Sequence, residues 1–172
     1  MAEALARITE LTDLGMIQIR ADLDRVGDAI AGAAGLAVPA QTSATADGSR
    51  TLLWMSPDEL LLVLPRAETA GALTALTDAL ATEHSLVLDV SDMRAAFAVE
   101  GPKAEQVLMK LCPADIASMP DDGVRRTRAA QVACGLWRTG QGYVLIGFRS
   151  VGDYIGGLLR NAARPGTHLD PR

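Results

Sequence analysis

Laid on itself with an offset of 83 residues, the chain matches in order: Leu53-Trp54 falls on Leu136-Trp137, Leu62 on Leu145, Arg66 on Arg149 and Leu76 on Leu159. A fold that obeys this pattern has to contain the same unit twice. In each half a strand ending in Trp reaches a turn, Ser56-Pro57-Asp58 or Thr139-Gly140-Gln141-Gly142. Pro and Gly supply there the fixed or positive backbone angles that a tight reversal needs. Each half then continues as an apolar strand, Leu60 to Leu64 or Tyr143 to Phe148, and passes into a helix. Both segments read as hairpins.

The helix after the first hairpin carries Leu73, Leu76 and Leu80 at i, i+3 and i+7, one face of a helical period. The segment from Pro102 places Ala104, Val107, Leu108, Leu111 and Cys112 on one face, and Pro102 suits a first helical turn. Met16 to Ala21 alternates like a strand, and Asp22 is placed to cap a helix whose apolar side is Leu23, Val26, Ile30 and Ala33. Arg94 to Glu100 is the corresponding strand of the second half. The expected fold is α+β: two similar strand-helix-strand-strand-helix halves, at about 15–83 and 94–163, joined by a strand at Ser85 to Val90. Half-size units bury little alone, so the halves are expected to share one core in a single domain, 1–172. Residues 39–49 read as a mobile loop and 164–172 as a tail without regular structure.

Composition narrows the function. Two Phe, two Tyr and two Trp leave few platforms for stacking bases, and a net charge of −5 disfavours a polyanion surface. Nucleic acid is therefore not an expected partner. Cys112 and Cys134 have neither metal-pair spacing nor the number of a secreted disulfide scaffold, and read as buried thiols in a reducing compartment. The N-terminal MAEALARITELTDLG lacks the basic and continuously apolar regions of a signal peptide, and no run approaches the ~18 apolar residues of a membrane helix. A cytoplasmic protein is expected, with no membrane partner.

Few residues invite a chemical reading. His84 and His168 stand at no recognised catalytic spacing; His84 suits the end of a helix, where a cation complements the dipole, and His168 falls in the tail. No H-x-x-x-H or C-x-x-C offers the ligands of a zinc site. Gly32 and Gly35 lie at a helix end and Gly152, Gly156 and Gly157 along a helix, not in the strand-to-helix turn of a dinucleotide site. Helix capping accounts for Gly35, and close helix packing for Gly156 and Gly157. Asp89 with Asp92, and Asp121 with Asp122, read as turn residues that bond nearby backbone. From Gly123 to Gly152 there is no Asp or Glu, while Arg125, Arg126, Arg128, Arg138 and Arg149 fall in that stretch. These arginines are either solvated guards of a strand edge or bidentate donors to a protein partner. As a partner interface the expected rim is Arg126, Arg128 and Arg138.

The block from Leu88 to Arg138 opens LDVSDMRAAFAVEGPKAEQVLMKLCPADI and closes RRTRAAQVACGLWRTG. With LLWMSPDELLLVLP before it and QGYVLIGFRSVGDYIGGLLRNA after, it resembles the gamma subunit of heterotetrameric sarcosine oxidase over roughly Thr51 to Ala163. A more distant likeness, a DVS strand followed by a Gly-Pro turn and a helix, runs to the folate-binding domain of glycine-cleavage aminomethyltransferases. The first resemblance implies a non-catalytic subunit, partnered by alpha, beta and delta chains, of a complex that oxidatively demethylates sarcosine to glycine. It implies FAD, FMN, NAD and tetrahydrofolate in the other subunits and no cofactor, metal or catalytic residue in this one. The small subunit of an N-methylglutamate dehydrogenase is a close variant. The second resemblance implies a related fold, but the essential acid of that family would map around Gln131 to Cys134, where this chain has none. A free-standing folate-binding, aminomethyltransferase-like protein is the competing reading, and an orphan domain that binds some other protein is a third.

Overall fold

A computed structural model describes residues 3–169. In chain order the elements are β1 (Arg7–Glu10), β2 (Leu14–Arg20), α1 (Leu23–Ala34), β3 (Ala44–Asp47), β4 (Arg50–Ser56), β5 (Glu59–Pro65), α2 (Thr69–Ala79), β6 (Leu86–Asp89), β7 (Arg94–Glu100), α3 (Ala104–Met109), β8 (Val124–Ala129), β9 (Val132–Thr139), β10 (Gly142–Phe148) and α4 (Gly152–Ala162). Local chemistry sets many of these boundaries. Asp22 accepts from the Arg25 amide at the start of α1, and Gly35 ends that helix with φ 72°, a left-handed angle that favours glycine. Between the caps, Val26, Ile30 and Ala34 form the buried stripe.

The described residues divide into two compact units, 13–92 and 3–12 with 93–169. In the 13–92 unit the sheet order is β3-β4-β5-β2-β6, and in the other β1-β7-β10-β9-β8. Reversing the first order pairs every strand with a counterpart: β6 with β1, β2 with β7, β5 with β10, β4 with β9 and β3 with β8. The α+β fold with two similar halves is thus present, and each half holds one strand more before its hairpin than periodicity indicates. The additional strand of the first half, β3, lies within residues 39–49, the stretch expected to be a mobile loop. Its four residues pair from Ala44↔Leu53 to Asp47↔Arg50. Ala-Thr-Ala-Asp has little β propensity of its own, so pairing with β4 makes it a strand. Beyond Ala162, residues up to Leu169 form no regular element.

Each sheet carries a buried cluster on its helix-covered face. Ile17, Ile19, Leu52, Leu60, Leu62 and Leu64 meet Val26, Ile30 and Leu76 in the 13–92 unit. In the other, Phe97, Val99, Leu136, Tyr143 and Leu145 meet Val107, Leu108, Ile155 and Leu159. The 83-residue offset is kept from β5 through α2: Leu60, Leu62 and Leu76 become Tyr143, Leu145 and Leu159. It fails in β4. The Leu53↔Leu61 and Trp54↔Leu60 register shifts between Trp54 and Ser56, whereas β9 runs evenly from Thr139↔Gly142 to Cys134↔Gly147. One extra residue flips the side chains beyond it to the other face. Trp54 therefore packs against the helix-side cluster, while Trp137, though buried, does not. The two Leu-Trp pairs occupy equivalent strands but opposite faces, and the counterpart of Leu136 on the helix side is Leu52.

The strand-helix contacts are also reciprocal. A Cβ on Gly15 would stand 1.9 Å from Thr69 Oγ1, so β2 needs glycine where α2 begins with threonine. At the equivalent contact the sizes are exchanged: Ala95 on β7 faces Gly152 on α4, 3.0 Å from the position of an added Cβ. Gly156 similarly lets α4 approach the Phe97 ring, as expected, but Gly157 faces nothing within 4 Å and is not a packing glycine.

Candidate functional site

The arginine stretch divides between two faces. Arg126 and Arg128 are exposed on the edge strand β8, across from Gly135 and Ala133 of β9. Side chains alternate along a strand, so Arg138, an odd number of positions beyond Gly135, lies on the opposite, helix-covered side. There it is engaged within the chain: Nη1 donates to the Met119 carbonyl at 2.7 Å, Nε stands 3.4 Å from Asp121 Oδ1, and the guanidinium lies 6.0 Å from the Tyr143 ring centroid. Burial pushes the Tyr143 hydroxyl above its ordinary pKa, partly offset by the Arg138 charge. Arg138 thus braces the loop entering β8. Sequence alone cannot reveal this split, because it depends on the register of β8 with β9.

Two clefts occupy equivalent places in the two units, where the first strand meets its helix beside the hairpin turn. The smaller, about 350 Å³, is lined by Gly101, Pro102, Glu105, Arg138, Gln141 and Tyr143 among others. The larger, about 860 Å³, is lined by residues including Arg20, Asp22, Arg25, Asp58, Glu83 and His84. Both of its arginines are paired: Arg20 Nη2 to Asp58 Oδ2 at 2.7 Å, and Arg25 Nε to Glu83 Oε2 at 2.8 Å. Hydrogen bonds from Arg20 and Ser56 lower the Asp58 pKa. His84 does not cap a helix, since α2 stops at Ala79 and its terminal carbonyls are met by backbone amides; His84 is exposed in the turn beyond. An open cleft with self-paired charges suits the docking of polar groups more than transition-state stabilisation, which calls for a water-excluded site.

The Asp-Val-Ser-Asp turn is built as its residue types indicate. Asp89 accepts from the Ser91 amide at 2.9 Å and from its hydroxyl, Ser91 Oγ accepts from the Met16 amide at 2.9 Å, and Asp92 accepts from Arg66 Nη2 through both oxygens. Both cysteines are free and buried, and the hydrogen bond with Cys112, together with burial, pushes the Cys134 thiol up. Among the described residues no three His, Cys, Asp or Glu side chains are grouped to hold a metal ion, and no helix is long and apolar enough to cross a membrane.

The model of the sarcosine oxidase, gamma subunit family matches residues 21–164. The gamma subunit of sarcosine oxidase from Corynebacterium sp. strain U-96 is 37% identical over 145 residues, which cover 81% of this chain and 68% of that one. A chain of the heterotetrameric sarcosine oxidase from Corynebacterium sp. U-96, solved in complex with pyrrole 2-carboxylate, superposes with a TM-score of 0.87 at 28% identity, covering 97% of this chain and 88% of that chain. The glycine cleavage system aminomethyltransferase T from Bartonella henselae shares the fold, with a TM-score of 0.69 at 13% identity over 92% of this chain and 46% of that one. Duplicated architecture, sequence and structure agree that the chain belongs to the sarcosine oxidase, gamma subunit family.

Proposed function

We propose that this chain is the gamma subunit of a cytoplasmic heterotetrameric sarcosine oxidase, assembling with alpha, beta and delta subunits into a complex that oxidatively demethylates sarcosine to glycine. The observation that carries the reading is the near-complete superposition on a chain of such a complex. On this reading FAD, FMN, NAD and tetrahydrofolate are held by the other subunits, and this chain supplies packing surface in place of a catalytic group. Two features support that division. The strands β8, β9 and β10 contain no Asp or Glu, so the acid that aminomethyl transfer calls for has no counterpart around Gln131 to Cys134. Both arginines of the larger cleft are already paired with carboxylates of this chain.

Co-expression of a tagged chain with the alpha, beta and delta subunits tests the reading. The tag is expected to retrieve all four, with bound flavin and sarcosine-dependent oxygen uptake, while the isolated chain is colourless and takes up no tetrahydrofolate in calorimetry. Failure to retrieve the other subunits would overturn it, and stoichiometric folate binding by the isolated chain would favour the aminomethyltransferase-like reading. A retrieved complex that oxidises N-methylglutamate and not sarcosine would identify the dehydrogenase variant.

The surface with Arg126 and Arg128 is proposed as part of the partner rim, with Arg138 acting there only through the loop it braces. Exposed charge pairs contribute about 1 kcal/mol or less each and act through steering and salt dependence. Arg126→Ala with Arg128→Ala is therefore expected to lower complex yield modestly and flatten its sensitivity to salt. Unchanged yield and salt dependence would remove these two arginines from the interface and leave the subunit reading standing.

A further inference from the structure

Among the described residues the two sheets present four edge strands, β1, β3, β6 and β8, and three of them are guarded. Natural sheets blunt open edges with charge or short polar strands. β8 carries Arg126 and Arg128, β3 is Ala-Thr-Ala-Asp, and β1 presents Arg7, bonded to Glu100 at 2.6 Å, beside Thr9 and Glu10. β6 is different. Leu86 and Leu88 are 47% and 44% exposed, side by side on the face away from Val87, which packs into the helix-side cluster. The duplicated unit supplies an internal comparison. Leu86 pairs with Arg20 as Arg7 pairs with Glu100, and Leu88 with Gln18 as Thr9 with Ala98, so the leucines stand where the other edge has arginine and threonine.

Resting on the subunit reading above, we propose that β6 is a docking edge, completed in the complex by an extended segment of another subunit that adds a strand beside Leu86–Asp89. The Val90 amide bonds the Met16 carbonyl at 2.8 Å, which fixes the phase of pairing with β2. Antiparallel alternation then turns the backbone amides and carbonyls of Val87 and Asp89 outward, available to an incoming strand. The incoming segment has apolar side chains on the face that meets Leu86 and Leu88. It continues toward the larger cleft, which Leu86 itself lines together with the Arg20–Asp58 and Arg25–Glu83 pairs. That continuity fits main-chain pairing followed by polar contacts, the usual form of strand addition. A second copy of this chain is the poorer occupant, because two four-residue strands with two leucines each fall far short of the ~1,200 Å² that a stable interface buries.

The test uses the co-expressed complex, comparing wild type with Leu86→Lys plus Leu88→Glu and with Thr9→Lys on the equivalent guarded edge. All these side chains except that of Thr9 in its polar setting are replaced on apolar surface, so circular dichroism and melting of the isolated chains check that each folds. The β6 variant is expected to lose most complex yield, about tenfold or more for the loss of central apolar contacts, while Thr9→Lys retains it. Hydrogen exchange adds a reading that needs no substitution. The Val87 and Asp89 amides of the wild-type chain should exchange about tenfold or more slowly in the complex than in the isolated chain. A folded β6 variant with wild-type yield, or amides equally exchangeable in both states, would overturn the docking edge alone. Homodimerisation of the isolated wild-type chain that the β6 variant abolishes would replace the partner strand by a second copy. Failure of the wild-type chain to join the complex would sink the subunit reading and this one together.

Discussion

At the scale of single residues, Asp89 shows how a turn holds a charge. Burial works against its ionised form, but the Ser91 hydrogen bonds and the nearby Arg66 charge outweigh that, and the pKa is lowered. An aspartate whose folded-state pKa lies below its unfolded value of about 3.9 stabilises the fold fully above that value and loses the contribution as pH falls through the folded one. The melting temperature is therefore expected to drop as pH falls below about 5. Asp89→Asn, which keeps an oxygen for the Ser91 amide, should melt lower at neutral pH and show a shallower drop. Parallel pH profiles for the two proteins would show that Asp89 is not a source of the acid sensitivity. The turn was legible from Asp, Ser and Asp in sequence because the bonds are local. The engagement of Arg138 was not, since the Met119 carbonyl and Tyr143 reach it only through the fold.

At the scale of elements, α2 and α4 are the most faithful copies, and they bear the same load. Leu76 and Leu159 are both fully buried beneath their helices and against equivalent strands. Truncating either to alanine is expected to cost about 2–5 kcal/mol, the range for leucine in a closed core, measured as a shift in the urea midpoint. A cost below about 1 kcal/mol at one site alone would mean that the two helices are not energetically equivalent. Helix periodicity makes Leu76 readable, and the 83-residue offset carries that reading to Leu159. Strands are less legible: β3 is invisible in sequence because Ala-Thr-Ala-Asp is defined by its partner, and β1 because a four-residue alternation with charged ends gives little signal.

For the whole molecule, chain order and unit membership disagree in one place. Residues 3–12 belong with residues 93–169, because β1 pairs with β7, while β6 takes the equivalent position beside β2. We propose that the two units nevertheless unfold together as one domain, since each is near the size at which a single core is marginal. Calorimetry should show one transition with matching calorimetric and van't Hoff enthalpies. Two resolved transitions would establish independently folding units.

The duplicated hairpin-and-helix order, the caps at Asp22 and Gly35 and the apolar helix stripes are legible along the chain, because each is written in residues close together. The faces that Trp54 and Trp137 take, the arginines that share a surface and the edge that is left apolar follow from strand pairing. The face of a strand side chain depends on register, and one inserted residue in β4 reverses it. An edge is defined by the strand that is missing beside it, and no local pattern of Leu86-Val87-Leu88 distinguishes an open edge from a strand paired on both sides.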